Sequence, residues 1–165
     1  PPRSTQGVSS AASDVYKRQQ YCLGQGIHLL AYGTLAGGLL SDRYLGQPEP
    51  SRATLTTASL NKYKQMIDVW GGWSLFQELL FTLKHVADRH RVSIADVALR
   101  YILGRPAVAG VIVGVRLGVA DHADDNARLF GLELDTRDLG EIESVLSRSH
   151  DLFQIIGDCG DEYRR

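Results

Sequence analysis

Two stretches of this chain hold the residues whose types and spacing could grip a ligand. An apolar segment from Ile27 to Leu35 runs into Ala36-Gly37-Gly38, and another from Val108 to Val113 runs into Gly114-Val115-Arg116. A strand buried on both faces and ending in small residues is how a parallel sheet offers backbone N–H groups to a phosphate. After the second turn, Asp121-His122-Ala123-Asp124-Asp125-Asn126 reads as a polar helix start, with side chains able to hydrogen-bond an adenine-sized ring. Together these residues point to part of a nucleotide-binding α/β protein.

The elements that must position them follow from periodicity. Tyr21-Cys22-Leu23 reads as the last turn of a helix stopped by Gly24 and Gly26, and a strand from Ile27 to about Leu35 follows. The stretch from Leu39 to Gly72 is long for a connection, with a short helical piece near 39–45 and a helix expected over 60–69 that carries Lys62-Tyr63-Lys64. Pro48 and Pro50 separate the two. Connections of this length commonly serve as lids or binding loops. Leu75, Leu79 and Leu83 with Phe76, Leu80 and Val86 recur at helical spacing, so residues 74–90 form an amphipathic helix. Ser93 with Asp96 starts a further helix that Gly104 and Pro106 end after Leu103. Residues 107–113 are β-branched and uncharged, which predicts a buried parallel strand. A helix over 119–130 ending at Gly131, and a last one capped by Asp135 and Asp138 and running to about Leu146, complete the reading.

The chain has 165 residues and a formal net charge of −1. That length supports one domain with a real core, and the charge argues against nucleic acid as a partner, since phosphate backbones need concentrated Lys and Arg. Cys22 and Cys159 are far apart and lack metal-ligand spacing, which fits a reducing cytoplasm and no disulfide framework. His28, His85, His90 and His150 have no partners at metal-binding spacing. No apolar run approaches the roughly 20 residues of a membrane span, so no membrane role is expected. Residues 1–19 lack periodicity and an apolar signal core, and are expected to be a non-native, disordered leader. Two parallel strands cannot close a sheet by themselves, so a missing partner, chain or segment, is expected to complete it.

The ordered set Leu30-Ala31-Tyr32-Gly33-Thr34-Leu35-Ala36-Gly37-Gly38-Leu39-Leu40, Val97-Ala98-Leu99-Arg100-Tyr101-Ile102-Leu103, Val111-Ile112-Val113-Gly114-Val115-Arg116 and Asp125-Asn126 resembles the aldo-keto reductases. The resemblance extends from Tyr21 to the tail Gly157-Asp158-Cys159-Gly160-Asp161-Glu162-Tyr163. It implies an α/β fold, the C-terminal fragment of a (β/α)8 TIM barrel. Such a barrel needs roughly 250 residues. The two predicted strands would be its seventh and eighth, most of this chain would be helical, and the N-terminal barrel half would be the missing partner.

That resemblance further implies an NAD(P)H-dependent oxidoreductase reducing a small aldehyde or ketone to an alcohol, with NADP as cofactor and NAD as a possibility. The family's catalytic Asp, Tyr, Lys and His lie on earlier strands, so no residue here is assigned a catalytic role and the fragment is expected to be inactive alone. On the cofactor side, Tyr32 matches the tyrosine that stacks on nicotinamide, and Gly33, Thr34, Leu35, Ala36 and Gly37 match the loop along the pyrophosphate. Gly114 and Arg116 fall in the loop after the eighth strand, Arg116 at the 2′-phosphate position, while Asp125 and Asn126 match residues that bond adenine. His122 stands where many members place a second arginine, and a neutral imidazole offers less to a dianion.

Each position also has a plainer reading. Tyr32 could be a packed strand residue, the glycines an ordinary strand exit, Arg116 a solvated arginine, and Asp125 and Asn126 first-turn residues favoured by the helix dipole. Trp70-Gly71-Gly72-Trp73 could wall a substrate pocket or pack the connection onto the following helix. Two other functions stay open: a cofactor-binding regulatory subunit of the same fold without enzymatic activity, and a doubly wound nucleotide-binding domain. The second is disfavoured because Ala36-Gly37-Gly38 lacks the G-x-G-x-x-G spacing.

Overall fold

The structure, a computed structural model, describes residues 19–114, 129–152 and 155. The predicted leader, apart from Gln19, lies outside these residues, as do Arg116, His122, Asp125, Asn126, most of the helix expected over 119–130, and the tail after Ile155.

Described elements run in the order β1 (Leu29–Tyr32), α1 (Ala58–Trp70), α2 (Gly72–His90), α3 (Ile94–Leu103), β2 (Val108–Ile112) and α4 (Thr136–Leu146), with single 3-10 turns at Ala36–Gly38, Asp42–Tyr44, Arg52–Thr54 and Leu129–Gly131. Helix boundaries follow local chemistry. The Thr57 hydroxyl accepts the Leu60 N–H and caps α1. Ser93 with Asp96, and Asp135 with Asp138, form reciprocal capping boxes at the starts of α3 and α4.

α2 is the hub of the core. It packs against α1, α3 and α4. Its Leu79, Leu80, Leu83, Val86 and Ala87 are buried in one cluster with Leu39, Leu60, Ile67, Ile94, Val97, Ile142 and Val145. α3 in turn lies against β2, and α1 against the turn that follows β1.

β1 and β2 pair in parallel, with Leu29 opposite Val108, Leu30 opposite Gly110, Ala31 opposite Val111 and Tyr32 opposite Ile112. The strands are shorter than their apolar runs. β1 stops at Tyr32 because Gly33 turns the chain with φ +70°. The expected burial on both faces is not found. Leu30, Tyr32 and Ile112 are 66, 75 and 56% exposed, because the described helices cover one side of this two-stranded sheet and nothing described covers the other.

The part of the long connection from Leu39 to Thr57 is fastened to the helices along its length. The Gln77 amide accepts the Gly46 N–H at 2.7 Å and donates to the Tyr44 carbonyl at 2.9 Å. Asp42 accepts the Ile94 N–H at 3.2 Å and pairs with Lys84 at 3.3 Å. Lys64, buried in α1, holds Glu49 at 2.6 Å and Asp68 at 2.5 Å. Burial opposes its charge, but the two carboxylates outweigh that and raise its pKa. The segment is a strap fastened to three helices.

Trp70-Gly71-Gly72-Trp73 is a junction between α1 and α2. Trp73 is 8% exposed, lies edge-on to Tyr44 and against Phe76, and donates its indole N–H to the Gln47 carbonyl at 3.0 Å. Of the two readings of this motif, packing is the one found for Trp73: a buried indole needs a partner for its N–H, and the strap supplies it.

Candidate functional site

The parallel pairing brings two predicted turns to one edge. Because Tyr32 stands opposite Ile112 and both strands run the same way, Gly33 and Gly114 leave the sheet at the same end. Tyr32 presents its ring at that end and remains mostly exposed.

Backbone conformation is unusual between these strands and the strap. Gly33, Ala36 and Gly37 have φ of +70°, +48° and +67° within five residues. Glycine tolerates this region, whereas alanine is strained by its Cβ. Strain of this kind persists where the surroundings impose it and clusters at ligand sites. The surroundings here are α1. A Cβ built on Gly33 would stand 2.0 Å from the Tyr63 hydroxyl oxygen, and one on Gly37 would stand 2.8 Å from Ser59 Oγ and 2.9 Å from Tyr63 Cδ2. The space left by these two glycines is therefore filled by Tyr63 and Ser59, residues one helical turn apart that the glycine pattern by itself could not reveal. Their spacing of four was the available signal, but it names no target.

Two features suit the edge to an anionic ligand. Among the described residues Thr34 Oγ1 is buried with no hydrogen-bond partner, a condition that costs about 1–3 kcal/mol unless something at the site accepts or donates to it. A Cβ at Gly38 or at Gly114 would meet no described atom within 4 Å, so among the described residues the backbone is open at both. Leu35 and Ala36 are partly buried against the core and shape the turn from below. The residues present thus fit a phosphate-bearing ligand along residues 34–38 and 114. The assignments at Arg116, His122, Asp125 and Asn126 fall outside the described residues.

Among the described residues, a further charged cluster lies elsewhere. Asp138, fully buried at the start of α4, accepts from Arg89 Nη2 at 2.5 Å, from His90 Nε2 at 2.7 Å and from the Asp135 N–H at 3.1 Å. Burial pushes its carboxyl up, but these hydrogen bonds more than offset it and hold the carboxyl below the usual range. Arg89 also grips Glu141, whose pKa it lowers, and hydrogen bonds to Asp138 raise that of Arg89 itself. This cluster clamps α2 to α4. His90 and His85 both belong to it, which explains two histidines as structural. His150 likewise serves the fold, approaching the Val69 carbonyl at 3.0 Å through Nδ1. Among the described residues no group of His, Cys, Asp and Glu could hold a metal ion, and no helix is long and apolar enough to cross a membrane.

Comparison with known proteins fits this arrangement. The sequence model of the Aldo/keto reductase family matches residues 10–147, beginning inside the stretch set apart above as a leader and including both strand exits. The chain belongs to the aldo/keto reductase family. It is 39% identical to the flagellar radial spoke protein 5 of Chlamydomonas reinhardtii over 82 residues, which is 48% of this chain and 16% of that protein. It is 30% identical over 122 residues to the protein tas of Escherichia coli K12 and, equally, of Shigella flexneri, covering 73% of this chain and 32% of each. The chain thus spans a third or less of the length of these relatives.

Proposed function

We propose that the protein is an NAD(P)H-dependent oxidoreductase that reduces aldehydes or ketones to alcohols, and that this chain is the C-terminal, cofactor-holding part of its (β/α)8 barrel. The observation that carries the reading is the shared edge at which Tyr32, the strained turn after it and Gly114 emerge together. A bound nicotinamide dinucleotide supplies the hydride.

The work of these residues is to hold and orient. The Tyr32 ring, exposed at the strand end, gives a flat apolar face for the nicotinamide and keeps water from one side of it. Residues 33–37 and Gly114 lie along the pyrophosphate, with the Thr34 hydroxyl available to it. Arg116 provides a permanent forked cation for a 2′-phosphate, His122 is assigned to the same phosphate, and Asp125 with Asn126 hydrogen-bonds adenine. No residue of this chain is assigned the proton transfer to the carbonyl oxygen, and the 165 residues by themselves are proposed to lack turnover.

Fluorescence titration with NADPH and NADH tests the reading. Saturable binding that weakens on Arg116→Ala for NADPH more than for NADH supports it, and failure of both dinucleotides to bind refutes it. Separately, steady consumption of NADPH with a reactive aldehyde by this chain alone would overturn the assignment of proton transfer elsewhere.

The similarity to a radial spoke protein favours a second reading, in which the fold serves as a subunit of a larger assembly and retains cofactor binding without turnover. It predicts dinucleotide binding without carbonyl reduction by the whole protein.

A further inference from the structure

We infer that Tyr63 is a positioning residue for the ligand turn: its ring is the strut that holds residues 33–37 in their strained, ligand-ready shape. The inference rests on the dinucleotide reading above and extends it to a residue that reading does not use.

The ring spans the turn. Its hydroxyl end and Cζ crowd Gly33, while Cδ2 crowds Gly37, so one rigid side chain meets two of the turn's three glycines at positive φ. Ser59, four residues earlier on α1, closes on Gly37 beside it. α1 itself is anchored beneath by buried Leu60 and Ile67, and by Lys64 pairing with Glu49 and Asp68. Asn61 adds two bonds, from its Nδ2 to the Leu55 carbonyl at 2.9 Å and to the Thr57 carbonyl at 3.1 Å. Position is therefore transmitted from a well-fixed helix to the turn through the phenol ring.

Hydrogen bonds alone do not fix that turn. Its bonds are all local: Ala36 N–H to the Gly33 carbonyl, Gly38 and Leu40 N–H to the Leu35 carbonyl, Leu39 N–H to the Ala36 carbonyl, and the Ser41 hydroxyl to the Gly38 carbonyl. They leave Ala36 at φ +48° and the Thr34 hydroxyl without a partner among the described residues. Removing the ring would let the turn relax away from a shape that ligand binding must then restore. A phenylalanine keeps the strut, whereas alanine deletes it.

The test uses the whole protein with Tyr63→Ala and Tyr63→Phe, reading dinucleotide affinity by fluorescence titration with NADPH, and amide hydrogen exchange over residues 33–39 without ligand. Tyr63→Ala should weaken binding on the order of ten-fold, the cost of re-ordering about one residue of backbone, and speed exchange in the turn. Tyr63→Phe should remain within about two-fold of the unmutated protein. Should Tyr63→Ala fail to fold, Tyr63→Leu, too short to span from α1 to Gly33, replaces it with the same expectation. Unchanged affinity in the shortened variant, or an equal loss in Tyr63→Phe, overturns the strut while leaving the dinucleotide reading intact. Absence of NADPH binding by the unmutated protein overturns both.

Discussion

Tyr32 of β1 stands opposite Ile112 of β2 in a parallel ladder, and both side chains face out on the uncovered side of the sheet. This one register places the turn after Tyr32 beside Gly114. It also makes Tyr32 a residue whose loss should affect ligand far more than fold.

Replacing Tyr32 by alanine is expected to weaken nicotinamide dinucleotide binding about three- to ten-fold, the worth of one aromatic face. Thermal stability should change by less than about 0.5 kcal/mol, because the ring is three-quarters exposed. Fluorescence titration and a melting curve on the same preparation check both halves.

Trp73→Ala is expected to destabilise the protein by about 3–5 kcal/mol through loss of packing on Tyr44 and Phe76. Trp73→Phe, which gives up mainly the bond to the Gln47 carbonyl, should cost about 1 kcal/mol beyond any volume change. Urea unfolding measures both. A Trp73 that lined a substrate pocket would instead alter carbonyl preference at unchanged stability.

Asp138→Ala is expected to cost about 3 kcal/mol, since it leaves Arg89 and His90 without their buried partner and removes half of the α4 capping box. Urea unfolding at neutral pH reads the loss directly.

The same carboxyl sets an acid limit. Its pKa is lowered in the folded chain from the ordinary 3.8, so its contribution is complete above that value and disappears as the pH falls through the depressed one. Melting temperature followed from pH 7 to pH 2 should therefore drop more steeply below about pH 4 in the unmutated protein than in Asp138→Asn, where there is no carboxyl to protonate.

Much of the fold was legible because it is local. The Ser93–Asp96 and Asp135–Asp138 caps, the apolar stripe through Leu79, Leu83 and Val86, and the stop at Gly104 each depend on residues three or four apart, and each is found where spacing places it. The apolar runs located both strands, but the first leaves the sheet at Gly33 rather than after Leu35. What misled the reading was context. Unbroken apolar runs imply burial on both faces, yet exposure of Leu30 and Ile112 depends on what lies across the sheet. The fastening of the strap from Leu39 to Thr57 could not be read locally, because its fasteners, Gln77, Trp73, Lys84 and the Ile94 amide, belong to other elements.

By itself, then, the amino-acid sequence determined the helices α1 to α4, the caps at Ser93 and Asp135, and the small-residue turn after β1, since backbone propensity and side-chain periodicity act over one or two turns. Only tertiary structure decided which atoms occupy the space above Gly33 and Gly37, and that both turns share an edge. Tyr63 lies thirty positions from Gly33 and β2 lies beyond three helices from β1. Meetings of that kind arise when the helices pack around α2 and bring distant segments together, and no short-range pattern encodes them.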